Sequence, residues 1–257
     1  MQVDKSRLIL AFGAFALAAS LGLASAISAV PIDHGDFAGD GVLFRGVSED
    51  STTDPDALPL FGSPTVGGTS LDFSGISFGS SSGAGGVDVT NGSLTMEIEA
   101  QGGKFIDSIS LLEAGDYTLF GVPGAAALAW VSAAVYLDIL EVDGIGIDPI
   151  NVQANLIFSP SSGQFDLLTG GPALARIWNA ELTIDVMQAL QDKSIQGGAT
   201  MVSLTLSNML ATASEPGAAS FINKTDLDIS ARMIPEPTTF VLLGTGLLGL
   251  FLMGGRW

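Results

Sequence analysis

The stretch Val202-Ser203-Leu204-Thr205-Leu206-Ser207 alternates strictly between aliphatic and hydroxyl side chains. Because successive side chains of a β-strand point to opposite faces, this alternation predicts a strand with one buried and one solvated face. The same period of two appears in residues 181–186 and 226–230 and, over a longer stretch, in residues 127–142. Strands are therefore expected to dominate the chain, and only residues 186–191 suggest a helical turn.

Clusters of glycine and proline separate the alternating stretches and indicate turns, for example a flexible turn at residues 79–86. Roughly ten to twelve short strands with turns between them are typical of an antiparallel β-sandwich or jelly roll. We therefore predict an all-β fold, with residues 27–234 forming one acidic β-sandwich domain and residues 41–231 sharing a single core. The positions expected to be buried are Val135, Leu137, Leu204 and Leu206, and those expected to be exposed are Asp226 and Asp228.

The composition narrows the classes of function. The chain has 27 acidic residues against 9 Lys and Arg, a formal net charge of -18. It lacks the basic surface that neutralises phosphates, so we expect no nucleic-acid partner and no docking on anionic lipid. The absence of cysteine excludes thiolate chemistry, and the single histidine, His34, is expected in a solvated loop rather than as a general base. We therefore predict that the protein is not an enzyme.

The N-terminus has the pattern of an export signal. Lys5 and Arg7 precede an apolar run over residues 8–23, and Ala24 and Ala26 supply the small side chains that a signal peptidase requires. We predict that residues 1–26 are a signal-peptide helix that is removed on export. The alternative is an uncleaved membrane anchor.

The C-terminus combines a short motif with an apolar segment. Pro235, Glu236 and Pro237 precede an apolar stretch over residues 240–253, and Arg256 lies beyond it. A helix of this length spans roughly 21 Å, which is short against a hydrocarbon core of roughly 30 Å. The sequence thus predicts a short transmembrane helix. Because proline restricts the preceding residue to extended backbone, residues 234–237 are expected to leave the domain as a strand-like peptide that a protease can grip.

This order of features over residues 235–257 resembles the PEP-CTERM protein-sorting signal of Gram-negative bacteria that make exopolysaccharide. The resemblance implies transient anchoring in the inner membrane, recognition by an exosortase-type protease, and removal of the tail. It further implies transfer to the cell surface, the outer envelope or the extracellular matrix. Such tails usually end in several basic residues, whereas Arg256 is here the only one. An ordinary C-terminal anchor with a chance Pro-Glu-Pro is the alternative.

Acidic residues interspersed with glycine make calcium the one cofactor worth considering, because calcium prefers carboxylate and carbonyl oxygens. The first candidate ligands are Asp33, Asp36 and Asp40 near the start of the exported domain. A second cluster consists of Asp138, Glu141, Asp143 and Asp148. The alternative is that these residues only form turns and solvate an acidic protein.

Three functions remain open for the exported domain. The leading one is a non-enzymatic structural or adhesion role linked to exopolysaccharide or biofilm. The second is a carbohydrate-binding module in which Trp130, Trp178 or Tyr117 stacks on sugar rings. A glycosidase, which needs two opposed carboxylates, comes third.

Overall fold

The computed structural model describes residues 31–53 and 59–236, which form fourteen strands, two short α-helices and one 3-10 turn at Ser161–Gly163. The strands are β1 (Ile32–Gly39), β2 (Val42–Asp50), β3 (Thr65–Gly67), β4 (Ser70–Phe73), β5 (Gly79–Gly83), β6 (Val87–Ala100), β7 (Lys104–Gly121), β8 (Ala127–Val142), β9 (Ile145–Asn155), β10 (Ile157–Ser159), β11 (Gln164–Asp166), β12 (Ala173–Asp185), β13 (Ala199–Ser214) and β14 (Ala218–Pro235). The helices are α1 (Leu167–Gly170) and α2 (Val186–Asp192).

The strands form two antiparallel sheets that face each other. The first sheet has the order β1-β2-β6-β13-β8-β9, with β11 beside the other end of β8. The second has the order β3-β4-β14-β7-β12-β10, with β5 also paired to β14. The sheets are joined where Ala199, at the start of β13, pairs with Ile106, near the start of β7, so the sandwich is nearly closed. The predicted all-β, antiparallel sandwich is confirmed for the described residues.

The core fills the space between the sheets with the aliphatic side chains that the alternation predicts. Val135, Leu137, Leu204 and Leu206 are all fully buried, as expected from the sequence. Leu204 of β13 pairs with Leu137 of β8 and with Met96 of β6, so one layer of the core runs across three strands.

The prediction that Asp228 is exposed is wrong, whereas Asp226 is exposed as predicted. Asp228 is half-buried because β4 pairs with this part of β14 and places Asp72 directly opposite it. Burial raises the pKa of Asp228, and the neighbouring carboxylates of Asp72 and Asp226 raise it further.

Two local predictions have opposite outcomes. The helical turn expected at residues 186–191 is confirmed as α2, and the Asp185 side chain caps it by accepting a hydrogen bond from the Gln188 N–H at 2.7 Å. The flexible turn expected at residues 79–86 is wrong for residues 79–83, which form β5, whereas residues 84–86 do connect β5 to β6 outside any strand. Ser82 of β5 turns its hydroxyl inward to Ser220 of β14 at 2.8 Å.

The end of β14 differs from the expected protruding peptide. Pro235 still lies in the strand opposite Lys104, and the Glu236 N–H donates to the Gly103 carbonyl at 3.1 Å. The backbone is extended, as the prolines require, but it stays paired to β7 instead of leaving the domain. The predicted signal helix, residues 1–26, and the predicted apolar helix, residues 240–253, lie outside the described residues, as do Pro237 and Arg256. None of the helices in the described part of the chain is long and apolar enough to cross a membrane.

Candidate functional site

Two of the three aromatic residues predicted to stack on sugars are core residues. Trp178 is 0% exposed, and its indole lies over Gly115 of β7, where a Cβ would meet the ring at 2.4 Å. Tyr117 is buried with its ring stacked on Phe165 at a centroid distance of 3.8 Å. Neither ring offers a face to solvent, so a stacking role for Trp178 or Tyr117 is incompatible with this fold.

Trp130 lies on the opposite side of the first sheet from the core. In β8 the odd-numbered residues from Val131 to Ile139 point inward, so Trp130 and Tyr136 both point to the outer face. Trp130 is half-buried and Tyr136 is 46% exposed. The two residues are six positions apart along the strand, which is roughly 20 Å. The residues between them on this face of β8, Ser132 and Ala134, have small side chains, and Met209 of β13 lies beside Ser132.

Polar side chains surround this stretch of β8. Gln164 of β11 lies opposite Trp130, Gln153 of β9 lies opposite Tyr136, and Asn155 lies opposite Ala134. All three of these amides are exposed. We call the set Trp130, Ala134, Tyr136, Gln153, Asn155 and Gln164 the β8 face.

Further polar groups lie next to the β8 face on the same side of the sheet, and one of them is the carboxylate of Asp138. The Asn151 amide donates to the Asp138 carboxylate, which occupies one acid of the predicted second calcium cluster. On the other side of β8, Thr205 of β13 lies beside Tyr136, and Ser207 lies beside Ala134. Aromatic rings with amides and hydroxyls beside them can stack on a sugar ring and hydrogen-bond its hydroxyls.

The outer face of the second sheet has a different chemistry. Phe120 of β7 and Phe221 of β14 stack on each other at a centroid distance of 6.2 Å, and Ile177 of β12, on the same face, is 73% exposed. Asp116 lies opposite Ile177 on this face. Asn223, opposite Asp116, and Asn179 of β12 add exposed amides to this face, so it differs from the β8 face mainly in having phenylalanines in place of Trp130 and Tyr136.

The first predicted calcium cluster is part of a strand rather than a loop, because residues 32–39 form β1. The Asp33 and Asp36 carboxylates accept backbone N–H groups of Gly35 and Gly46, each at 2.8 Å. Asp40 meets Lys104 through its backbone carbonyl, at 3.2 Å.

In the second predicted cluster, which consists of Asp138, Glu141, Asp143 and Asp148, two of the four carboxylates are likewise engaged locally. Asp143 accepts the Gly198 N–H at 2.9 Å, in addition to the Asn151–Asp138 contact. Across residues 31–53 and 59–236, no three His, Cys, Asp or Glu side chains are grouped so that they could hold a metal ion. The calcium prediction therefore gains no support from either cluster.

The prediction that His34 is a solvated loop residue is wrong. Its side chain is 3% exposed, its Nδ1 lies 3.2 Å from the Ser63 hydroxyl, and its Nε2 lies 3.7 Å from Glu49 Oε1. Burial raises the pKa of Glu49, while the Phe61 N–H, donating to Oε2 at 2.7 Å, lowers it. Serine, histidine and carboxylate thus lie in a row, but 3.7 Å is too long for the hydrogen bond that would orient the imidazole of a hydrolytic triad.

The fold and the β8 face define an antiparallel β-sandwich protein with a partly exposed aromatic and amide surface. No protein-family model matches the chain, and no curated protein matches it. Solved structures to which it is similar include TmCBM61 in complex with β-1,4-galactotriose, at 12% identity and a TM-score of 0.23, covering 74% of this chain and 88% of that one. A family 30 carbohydrate-binding module is 10% identical at a TM-score of 0.22, covering 79% and 99%. The non-crystalline cellulose specific module CBM28 is 12% identical at 0.22, covering 60% and 78%. Similarity at this level does not identify a ligand, so the function is inferred from the residues of the β8 face.

Proposed function

We propose that this protein is an exported surface protein whose β-sandwich binds polysaccharide on the β8 face. The observation that carries the proposal is the placement of Trp130 and Tyr136 on one outward face of a single strand, with Gln153, Asn155 and Gln164 beside them. The separation of the two rings, roughly 20 Å along the strand, suits several sugar units rather than one.

The net charge of the chain indicates which class of polysaccharide it would bind. The chain carries a formal net charge of -18, which repels a polyanion approaching any part of its surface. The β8 face has amides and hydroxyls but no lysine or arginine among its six residues. The ligand that fits this surface is therefore a neutral polysaccharide, such as an uncharged exopolysaccharide, rather than an acidic one.

The binding proposal is tested by affinity electrophoresis of the full chain in gels that contain neutral or anionic polysaccharides. We expect retardation by at least one neutral polymer and none by anionic polymers. Trp130→Ala and Tyr136→Ala each remove one stacking surface and are expected to weaken binding by about 1–2 kcal/mol, or roughly 5- to 30-fold. Phe221→Ala, an exposed aromatic on the other sheet, is the matched control and should bind as the unmodified chain does. Equal losses in all three variants would refute the assignment to the β8 face.

Export and sorting form the second part of the proposal. The signal sequence at residues 1–26 and the Pro-Glu-Pro tail support delivery through the inner membrane to the cell surface or extracellular matrix, with signal peptidase and an exosortase-type protease as partners. A purely structural or adhesion role in the matrix is the second candidate, and it is favoured if no polysaccharide retards the protein. Mass spectrometry of both ends of the protein from its native surface tests the sorting, and an intact Trp257 there would contradict it.

A further inference from the structure

Three polar side chains meet in the middle of the hydrophobic core. Lys224 Nζ donates to Glu113 Oε1 at 2.7 Å and to Asn208 Oδ1 at 2.8 Å. Asn208 Nδ2 donates to Glu113 Oε1 and Oε2 at 3.0 and 3.1 Å. Asn208 belongs to β13 of the first sheet, whereas Glu113 and Lys224 belong to β7 and β14 of the second. The three groups therefore contact one another in every pair and connect the two sheets.

Water has no access to this cluster. The side chains of Lys224 and Glu113 are 0% exposed, and Asn208 is 1% exposed. Lys224 Nζ lies 4.9 Å from the centroid of the Phe61 ring, which packs edge-on against Phe78 at 5.4 Å. Hydrolysis of any product formed here would need a water molecule that this packing excludes.

Two glycines let the rings close over the cluster. Gly92 pairs with Asn208 on β6, and a Cβ there would lie 2.7 Å from the Phe78 ring. Gly115 pairs with Lys224 on β7, and a Cβ there would overlap the Trp178 indole. Aromatic rings thus reach the register positions beside both Asn208 and Lys224 because neither glycine has a side chain.

The environment of Lys224 favours the neutral amine, which is the reactive form of a lysine side chain. Burial lowers the pKa of Lys224, although the nearby Glu113 carboxylate opposes this effect. A lysine desolvated in an apolar pocket presents a neutral amine, which is a nucleophile, more readily than one in water. Its amine is already in contact with the oxygen of a carboxamide carbonyl.

We propose that Lys224 Nζ and Asn208 Cγ become joined by an isopeptide bond, with Glu113 passing a proton between the two nitrogens. The Nζ–Cγ bond forms and the Cγ–Nδ2 bond breaks. One hydrogen of the neutral amine moves through the Glu113 carboxyl group to Nδ2, which leaves as ammonia. Nothing is oxidised or reduced, and no co-reactant is needed.

Glu113 is placed for this role because it contacts both the attacking and the departing nitrogen. Its Oε1 lies 2.7 Å from Lys224 Nζ and 3.0 Å from Asn208 Nδ2. A proton can therefore pass from one nitrogen to the other without movement of the backbone. Holding amine and amide in contact also turns a bimolecular condensation into an intramolecular step.

The product would be a covalent link between the two sheets of the sandwich. The chain contains no cysteine, so no disulfide can provide such a link. An amide bond, unlike a disulfide, does not depend on the redox state of the surroundings. This would suit a protein exposed at a cell surface.

The test is peptide mapping of the full chain. Chymotrypsin cleaves after large apolar and aromatic residues, and Leu210 and Phe221 lie between Asn208 and Lys224 in the sequence. We expect one branched species whose mass is the sum of the Asn208 and Lys224 peptides less one ammonia, with fragment ions that locate the bond. Recovery of only the two separate peptides, each at its sequence mass, overturns the proposal.

The role of Glu113 is tested with Glu113→Gln, which keeps the shape but cannot accept the proton. We expect the linked species to disappear from this variant and to remain in Glu97→Gln, whose side chain is exposed on β6. Circular dichroism verifies that both variants retain the β-sheet fold. Full linkage in folded Glu113→Gln would remove Glu113 from the mechanism. If Glu113→Gln does not fold, the peptide map of the unmodified chain decides the proposal.

Discussion

Replacing Lys224 with Met tests the electrostatics of the core most sharply. Methionine fills a similar volume, so the change creates little cavity, but it leaves the Glu113 carboxylate buried with Asn208 as its remaining partner. Removing one member of a buried ion pair costs about 3–5 kcal/mol, because the other charge stays desolvated. The two hydrogen bonds from Asn208 reduce this cost, so we work with about 2–3 kcal/mol for the orphaned charge.

The informative comparison is between Lys224→Met and the double variant Lys224→Met/Glu113→Gln. Both lack the amine, so both lack any bond between Lys224 and Asn208, and they differ only in the charge at position 113. The double variant should therefore be more stable than the single one by about 2–3 kcal/mol. Urea unfolding followed by circular dichroism measures the difference as a shift in midpoint at constant m-value. Equal stability of the two variants, or a less stable double variant, would refute the reasoning.

Three further perturbations follow from the structure. Asp228→Asn should stabilise the fold at pH 7 by about 0.2–1 kcal/mol because it removes the like charge opposite Asp72. Because the pKa of Asp228 is raised in the folded protein, its protonation stabilises the fold at low pH, and this stabilisation is lost as the pH rises through that pKa. The stability gained by Asp228→Asn should therefore vanish at about pH 3, where Asp228 is protonated, as urea midpoints at pH 3 and pH 7 would show. Gly92→Ala should cost about 1–3 kcal/mol through the clash with the aromatic rings, whereas Gly67→Ala, with open space around it, should leave the thermal unfolding midpoint nearly unchanged. Glu236→Ala should leave uncleaved precursor in the inner membrane, whereas recovery from the cell surface of variant protein lacking the apolar tail would contradict the sorting proposal.

The strands were predictable because alternation is a local property. Leu204 and Leu206 are buried, and Ser207 is exposed, as a period of two requires. The same alternation argues against sugar stacking by Trp178, because Trp178 is in phase with Leu182 and Ile184, the aliphatic residues of the alternating stretch 181–186. Parity also places Trp130 and Tyr136 on the outer side, so the β8 face was partly visible in the sequence.

The contacts between the sheets could not be predicted in this way. Asn208 continues the series of even-numbered buried residues Val202, Leu204 and Leu206, so the sequence alone could indicate a polar side chain at a core position. Its meeting with Glu113 and Lys224 depends on how β13 of one sheet lies over β7 and β14 of the other, and no local pattern encodes that relation. The strand β5 was missed for a similar reason, because a Gly/Ser-rich segment has no apolar alternation and is held by its hydroxyl contacts to β14 and β13.

Fluorescence of Trp130 during a titration with a neutral oligosaccharide tests the central claim most directly. Trp178 is fully buried, so the half-buried Trp130 is the indole on the described surface that a ligand on the β8 face can reach. We expect a saturable change in emission that is absent from Trp130→Phe and weakened in Tyr136→Ala. Binding on the β8 face would be contradicted if an oligosaccharide bound the Trp130→Phe/Tyr136→Ala double variant with the same affinity as the unmodified chain and changed the emission of neither protein.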